Sequence, residues 1–189
     1  MIIRQLNYAK NALFIAGAIF LSACAKKAEE SNDILRWKSY PITVSSSEDF
    51  RSYNGAESDL IFAINYWNYQ SGVEVFSYSR TAISNSIHFP GSWPYASDIA
   101  GQTNLSSEQG FYSQFEIALN RTQIYCMGSC ENISFQAVSM RKLLAHELGH
   151  VLGFPHSDDP NNIMHAHIDG QANIHTSNLD RKTLKKLTR

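Results

Sequence analysis

The pattern of apolar and polar positions predicts strands in five segments of the chain. Each segment is a short run rich in β-branched and aromatic residues, bounded by Gly, Pro, Asn or Ser. A turn-rich stretch with two prolines, Pro90 to Tyr95, separates the third segment from the fourth. The predicted strands are Tyr40–Val44, Val73–Tyr78, Ile83–Phe89, Ile99–Leu105 and Phe111–Leu119.

A helical apolar period predicts a first helix from Ser58 to about Gln70. Ser58 is a residue type that caps helix N-termini, and Gly72 is a residue type that ends helices. The apolar face of this helix would contain Leu60, Ile64 and Trp67.

Two further helices are predicted in the second half of the chain. One begins after Ser134 and carries His146 and His150 near its C-terminal end; the other is a short amphipathic helix at 178–187. Strands come first and helices follow, apart from the early helix, so we expect an α+β domain over residues 34–189.

Composition and charge narrow the class of protein. The chain has 189 residues, of which 43% are hydrophobic, and a formal net charge of −1. A chain of this size buries one good core, and its near-neutral charge gives no electrostatic footprint for nucleic acid. We therefore expect a monomeric globular domain that does not bind nucleic acid.

The N-terminal residues have the pattern of an export signal. Arg4 and Lys10 precede an apolar run, Ala12 to Leu21, that is too short to span a bilayer as a mature helix. We therefore expect residues 1–23 to be a signal peptide. The run ends in Leu-Ser-Ala-Cys, residues 21–24, which resembles a bacterial lipobox.

The lipobox resemblance implies that Cys24 is diacylated and becomes the mature N-terminus. Two acyl chains would anchor the protein to a membrane, with the polar residues 24–33 as a flexible tether. Ala25 stands where a signal for inner-membrane retention usually shows Asp, which favours the outer membrane of a bacterial envelope. The alternative is an ordinary signal peptide with an incidental cysteine.

Without Cys24, two cysteines remain. Cys126 and Cys130 bracket a short turn-like loop, Met-Gly-Ser, that can close as a disulfide in an oxidising compartment. The alternatives are two free thiols or a metal-binding pair. We favour the disulfide.

Candidate chemistry is concentrated in the sequence His-Glu-Leu-Gly-His-Val-Leu-Gly-Phe-Pro-His, residues 146–156. His146 and His150 are four residues apart, so on a helix both imidazoles project from one face. Glu147 lies beside the first ligand, where it can act on a water rather than bind metal. Gly153 allows a sharp turn that would bring His156 to the same ion.

The ligand set predicts one catalytic zinc ion. No Glu follows between Ser157 and Arg189, so His156 is favoured over a downstream glutamate as third ligand. Three protein ligands leave one zinc position open, which is typical of catalytic rather than structural sites. The spacing alone also occurs by accident in ordinary helices, but the added Gly and third His make this alternative weak.

This motif resembles that of the metzincin metallopeptidases, and Ser157 after the third His resembles the matrixin branch. Metzincins carry a methionine in a tight turn beneath the zinc, and Met164 fits that position. In matrixins Tyr-Pro commonly follows this methionine, whereas His165 and Ala166 stand here. The resemblance implies a metzincin-like catalytic domain, with a twisted, mostly parallel five-stranded sheet and three helices.

The resemblance also implies an activity. It indicates a zinc endopeptidase with Glu147 as general base, one Zn²⁺ ion, and a protein or peptide substrate; structural Ca²⁺ sites are left open. In that family the fourth strand is an edge that pairs with substrate, which points to Gly101, Gln102, Thr103 and Asn104. Alternatives are an edge strand that binds nothing, an inactive binding module on the same fold, and a zinc-buffering lipoprotein.

Overall fold

The computed structural model describes residues 35–130 and 137–168, together with Leu184. The signal peptide, Cys24, the tether and all but Leu184 of the helix at 178–187 lie outside these residues. The helix predicted to begin after Ser134 begins at Met140, because Ser139 is its N-cap and Val138–Ser139 form a short strand. No helix in the described part of the chain combines the length and apolarity needed to cross a bilayer. The elements in chain order are β1 (Arg36–Trp37), β2 (Ile42–Ser46), α1 (Glu48–Arg51), α2 (Ala56–Ser71), β3 (Phe76–Tyr78), β4 (Ser86–His88), β5 (Gly101–Glu108), β6 (Phe111–Leu119), β7 (Tyr125–Cys126), β8 (Val138–Ser139) and α3 (Met140–Val151).

One mostly parallel sheet forms the centre of the fold. Its strand order is β1-β6-β4-β2-β3, and β5 pairs with β6 as the one antiparallel neighbour among the described strands. The predicted fold class, a mostly parallel sheet with helices, is confirmed. This sheet has six strands where five were predicted, because Arg36–Trp37 pairs with Phe111–Tyr112 as an additional strand. A strand of two residues is too short for alternation to reveal it.

Two predicted strands are shorter in the structure. Val73–Tyr78 reduces to β3, and Ile83–Phe89 reduces to β4. Asn85 has φ 58°, outside the β region, and its side-chain oxygen accepts from the Phe115 backbone N–H at 2.9 Å. This residue therefore interrupts the strand, and Ile83 before it is fully exposed.

The first long helix begins earlier than predicted. Its N-cap is Gly55, and α2 starts at Ala56, so Ser58 lies inside the first turn and is not the cap. The left-handed conformation of Gly55 (φ 90°) lets the chain enter the helix directly from the preceding turn. The predicted end is confirmed, because Gly72 is the C-cap.

Helices α2 and α3 pack on each other and against strands of the sheet. The fully buried Trp67 of α2 donates its indole N–H to the Ala145 carbonyl oxygen at 2.7 Å. Its ring stacks on Phe154, with ring centroids 5.4 Å apart. Trp67 thus joins the middle of α3 to the turn that follows it, which fixes the helix that carries the predicted ligands.

Candidate metal centre and active site

Three histidine side chains converge at the end of α3. The Nε2 atoms of His146 and His150 are 3.1 Å apart, and those of His150 and His156 are 3.2 Å apart. Two nitrogens bound at about 2.0–2.1 Å to a tetrahedral zinc would lie roughly 3.3–3.4 Å apart. These three residues form the one metal-ligating cluster of His, Cys, Asp or Glu found in the described ranges.

Backbone carbonyls fix the tautomers of the two helical ligands. His146 Nδ1 lies 2.8 Å from the Ile163 carbonyl oxygen, and His150 Nδ1 lies 2.7 Å from that of Phe154. A carbonyl oxygen only accepts, so each Nδ1 carries the proton and donates it. Each Nε2 therefore has a lone pair that points towards the other imidazoles. Lone pairs at this distance repel one another unless a cation lies between them. The donor set therefore fits zinc.

Burial keeps the three imidazoles in the form that binds metal. It lowers the pKa of His146 well below its usual value, with the nearby His150 adding to the shift. Burial also lowers the pKa of His150, to about 4, and that of His156, to which His165 and His167 contribute. Neutral imidazole is the metal ligand, so these shifts favour zinc binding at neutral pH.

A glycine turn brings the third ligand to the other two. Gly153 has φ 90°, and its N–H donates to the His150 carbonyl oxygen at 2.9 Å. The Phe154 N–H donates to the Gly149 carbonyl oxygen at 3.1 Å. The chain therefore reverses within a few residues, as the position of Gly153 in the motif predicts.

Met164 lies in a tight turn directly against α3. The Met164 N–H donates to the Asn162 side-chain oxygen at 2.9 Å, and the Met164 carbonyl oxygen accepts from the Ser157 N–H at 2.9 Å. A Cβ added to Gly149 would collide with the Met164 sulfur and come within 2.8 Å of the Trp67 ring. The methionine thus packs into a space that only glycine leaves open on the ligand-bearing helix.

Glu147 lies fully buried between α3 and β5. Its Oε2 accepts a hydrogen bond from the Thr103 hydroxyl at 2.6 Å. A Cβ added to Gly101 would lie only 2.7 Å from Glu147 Oε1. Glu147 follows His146 in α3, and its partner Thr103 lines the same cavity as His150 and His156.

The segment predicted to bind substrate lies at the sheet edge beside the histidines. Its strand, β5, pairs only with β6 among the described strands. A cavity of about 410 Å³ separates the strand from the turn that carries His156. A larger cavity, about 510 Å³, lies beyond Tyr112 and contains no zinc ligand. The smaller cavity is lined by Gln102, Thr103, Asn104, Leu105, Tyr112, His150, Gly153, Phe154, Pro155 and His156.

A second buried carboxylate, which belongs to α2, packs against the first turn of α3. Asp59 of α2 forms an ion pair with Arg141 at 2.6 Å and accepts from the Gly128 N–H at 2.9 Å. Gly128 belongs to the loop between Cys126 and Cys130, whose predicted disulfide is present in the structure. We call Asp59, Arg141 and this loop the anchor region. It ties α2, α3 and the cross-linked loop together.

Several contacts of the site have no signal in the sequence. The carbonyls of Phe154 and Ile163 are backbone groups, so residue identity does not announce their role. Thr103 lies on a predicted strand, but nothing in the sequence pattern indicates its contact with Glu147. Asp59 is an acidic residue in the first turn of a helix, which is common, so the sequence does not indicate that it is buried.

Comparison with known families agrees with this geometry. A family model described as matrixin matches residues 42–188. The matched segment contains the sheet except β1, the three described helices and the three histidines. The search of curated proteins gives no significant match. The match covers well over half of the chain, and the protein therefore belongs to the matrixin family and has a zinc metallopeptidase-type domain.

Proposed function

We propose that the protein is an active zinc-dependent endopeptidase in which Glu147 is the general base. The observation that carries this proposal is the buried carboxylate of Glu147, which follows His146 on the helix that supplies two of the three converging histidine nitrogens. A domain that only bound or stored zinc would need the imidazoles but not the carboxylate. The family supplies zinc and peptide substrates as the chemical context.

The residues of the chain divide the work of hydrolysis among them. His146, His150 and His156 would hold zinc through Nε2. Met164 packs against Gly149 and so supports the helix that carries two of these residues. When bound, zinc lowers the pKa of a coordinated water towards about 7 and polarises the scissile carbonyl. Glu147 takes a proton from the attacking water and delivers it to the leaving amine.

The edge strand would hold the substrate beside these groups. An extended peptide that pairs with residues Gly101–Asn104 gains backbone hydrogen bonds, and side-chain pockets then set the preference. The edge of β5 that has no partner among the described strands and the adjoining cavity of about 410 Å³ support this arrangement. Asn104 is exposed on the strand and donates to the Tyr95 hydroxyl at 3.3 Å, which links the strand to the preceding loop.

The test is cleavage of a quenched fluorescent peptide library by the chain lacking residues 1–24. We expect cleavage that a chelator abolishes and zinc restores. Glu147→Ala should lower kcat by about 10²–10⁴, the size of general-base effects, while zinc content stays at one ion per chain. Zinc content by elemental analysis and the cleavage rate are measured on the same samples.

The outcomes separate this proposal from its rivals. Chelator-sensitive cleavage that survives Glu147→Ala at full rate would refute the role of Glu147. A zinc-loaded wild-type chain that binds peptides of the library without cleaving any would indicate an inactive binding module. Zinc exchange without binding of any peptide would indicate a zinc-buffering protein.

We also propose that the domain is a monomer, anchored through lipid on Cys24 to the bacterial envelope, at the outer membrane. The Leu-Ser-Ala-Cys sequence and the polar tether after it support this location. Expression of the full chain in a Gram-negative host should give a protein that sediments with outer membranes and begins with an acylated Cys24 in mass spectrometry. Cys24→Ser should leave the protein unacylated; wild-type chain without acyl groups would contradict the proposal.

A further inference from the structure

Two residues of β5 enclose the carboxylate of Glu147, one at each oxygen. The Thr103 hydroxyl lies 2.6 Å from Oε2, and the Gly101 backbone leaves so little room that a Cβ there would lie 2.7 Å from Oε1. The same Cβ would come within 3.0 Å of Leu143 on α3. The carboxylate is therefore confined between a hydroxyl and a bare stretch of backbone.

The hydroxyl has one hydrogen and two nearby acceptors on the same residue. Thr103 Oγ1 is 2.6 Å from Glu147 Oε2 and 3.2 Å from the Glu147 carbonyl oxygen. The hydrogen bond to a carboxylate oxygen is the shorter and stronger, so the proton points there. Threonine is branched at Cβ and has few side-chain rotamers in a strand, so the backbone of β5 sets the position of this hydroxyl.

We propose that Thr103 and Gly101 are positioning residues that hold the Glu147 carboxylate in its working orientation. This inference rests on the proposed function, in which Glu147 is the general base. The same short segment of β5 offers its backbone edge to the substrate. One strand thus sets the place of both the peptide and the base, so a small shift of β5 would displace the base relative to the scissile bond.

The structural part of the proposal is tested in zinc-free protein by thermal unfolding in excess chelator. Thr103→Val removes the hydroxyl and keeps the shape of the side chain. We expect it to lower Tm by about 2–4 °C when Glu147 is present and to have little effect in a Glu147→Ala background. Equal shifts in both backgrounds would show that the hydrogen bond contributes nothing, which would overturn the proposal.

The functional part is tested by steady-state cleavage with zinc-loaded protein. Thr103→Val and Gly101→Ala should each lower kcat by about 10–10²-fold, with KM and zinc content unchanged, because misplacement of a reacting group acts on the chemical step. Thr103→Ser keeps the hydroxyl and should recover wild-type kcat to within about threefold.

Matched controls separate positioning from general damage to the sheet. Thr43→Val makes the same change on β2, where the hydroxyl is 3.5 Å from that of Ser77. Gly91→Ala makes the second change where a Cβ meets nothing within 4 Å. Both should retain wild-type kcat.

Failure of the inference can be told from failure of the proposed function. An inactive Glu147→Ala together with a fully active Thr103→Val would overturn the positioning role alone. A fully active Glu147→Ala would overturn the proposed function, and the positioning role with it.

Discussion

Two buried carboxylates, Glu147 on α3 and Asp59 of α2, which packs against the first turn of α3, differ in the partners that offset the cost of burying their charge. In the anchor region, Asp59 faces the Arg141 guanidinium and a backbone N–H, next to a covalent cross-link. In the metal centre, Glu147 accepts from the uncharged hydroxyl of Thr103 and has the neutral His146 beside it in the helix. Asp59 has a full positive charge as partner, so its interactions stabilise the fold. In the proposed function, Glu147 exchanges a proton with water and the leaving amine.

The largest loss of stability is expected when the charge of Asp59 is removed. Asp59→Asn should lower the free energy of unfolding by about 2–3 kcal/mol, because it breaks a buried ion pair. The value lies below the usual range for buried pairs because the Arg141 side chain is 28% exposed and can be partly hydrated. Tm should fall by roughly 5–10 °C, while kcat of the folded enzyme stays within about twofold. Calorimetry and cleavage at low temperature measure the two quantities.

The comparison variant is Glu147→Gln, which also exchanges a carboxylate for an amide. It should show the reverse pattern, with cleavage lost and Tm within a few degrees of wild type. If Asp59→Asn lowers kcat as strongly as Tm, or Glu147→Gln unfolds the domain, the division of roles between the two regions is wrong.

A smaller effect is expected from removal of the disulfide in the anchor region. The ring closed by Cys126 and Cys130 is short, so the chain-entropy model gives about 2 kcal/mol. The double variant Cys126→Ala/Cys130→Ala should lower Tm accordingly and leave kcat unchanged. Asp59→Asn should cost less in this background, because a looser loop holds the Gly128 N–H less firmly against the carboxylate. Strictly additive losses in Tm would mean that loop and ion pair act independently.

A pH dependence of stability is also expected to arise in the metal centre. In the zinc-free protein the pKa of each ligand histidine is lowered in the folded state, to about 4 for His150. Below pH of about 6.5 the unfolded chain binds protons that the folded chain does not, so stability falls as the pH is lowered. Tm in chelator should decline from pH 7 to pH 5, and His150→Gln should weaken the decline. A flat profile would contradict the burial of these imidazoles in the folded protein.

Individual residues show which features of the structure could be predicted from the sequence. The ligand spacing on α3, the turn at Gly153 and the disulfide follow from short-range rules, because each involves residues within a few positions of one another. The strand Arg36–Trp37 was missed, since it exists only through its pairing with a distant segment. The cap at Ser58 was wrong because the left-handed Gly55 decided where α2 begins.

The partners of Glu147 and Asp59 could not be predicted for the same reason. Thr103 is 44 residues away from Glu147 along the chain, and Arg141 is 82 residues away from Asp59. Such contacts depend on the packing of β5 and α2 against α3, which local patterns do not specify. The family resemblance supplied the arrangement of elements but not these side-chain pairs.

The contact between Gly149 and Met164 bears on attempts to build this centre into another protein. Glycine in the middle of a helix costs up to about 1 kcal/mol relative to alanine, so a designer who kept only the ligands and the base would replace it. A Cβ at that position would occupy the space of the methionine sulfur. A transplanted zinc helix would then lose the turn that presents the Ile163 carbonyl to His146. The smallest portable unit is therefore two segments, the helix with its glycine and the turn with its methionine, grafted together.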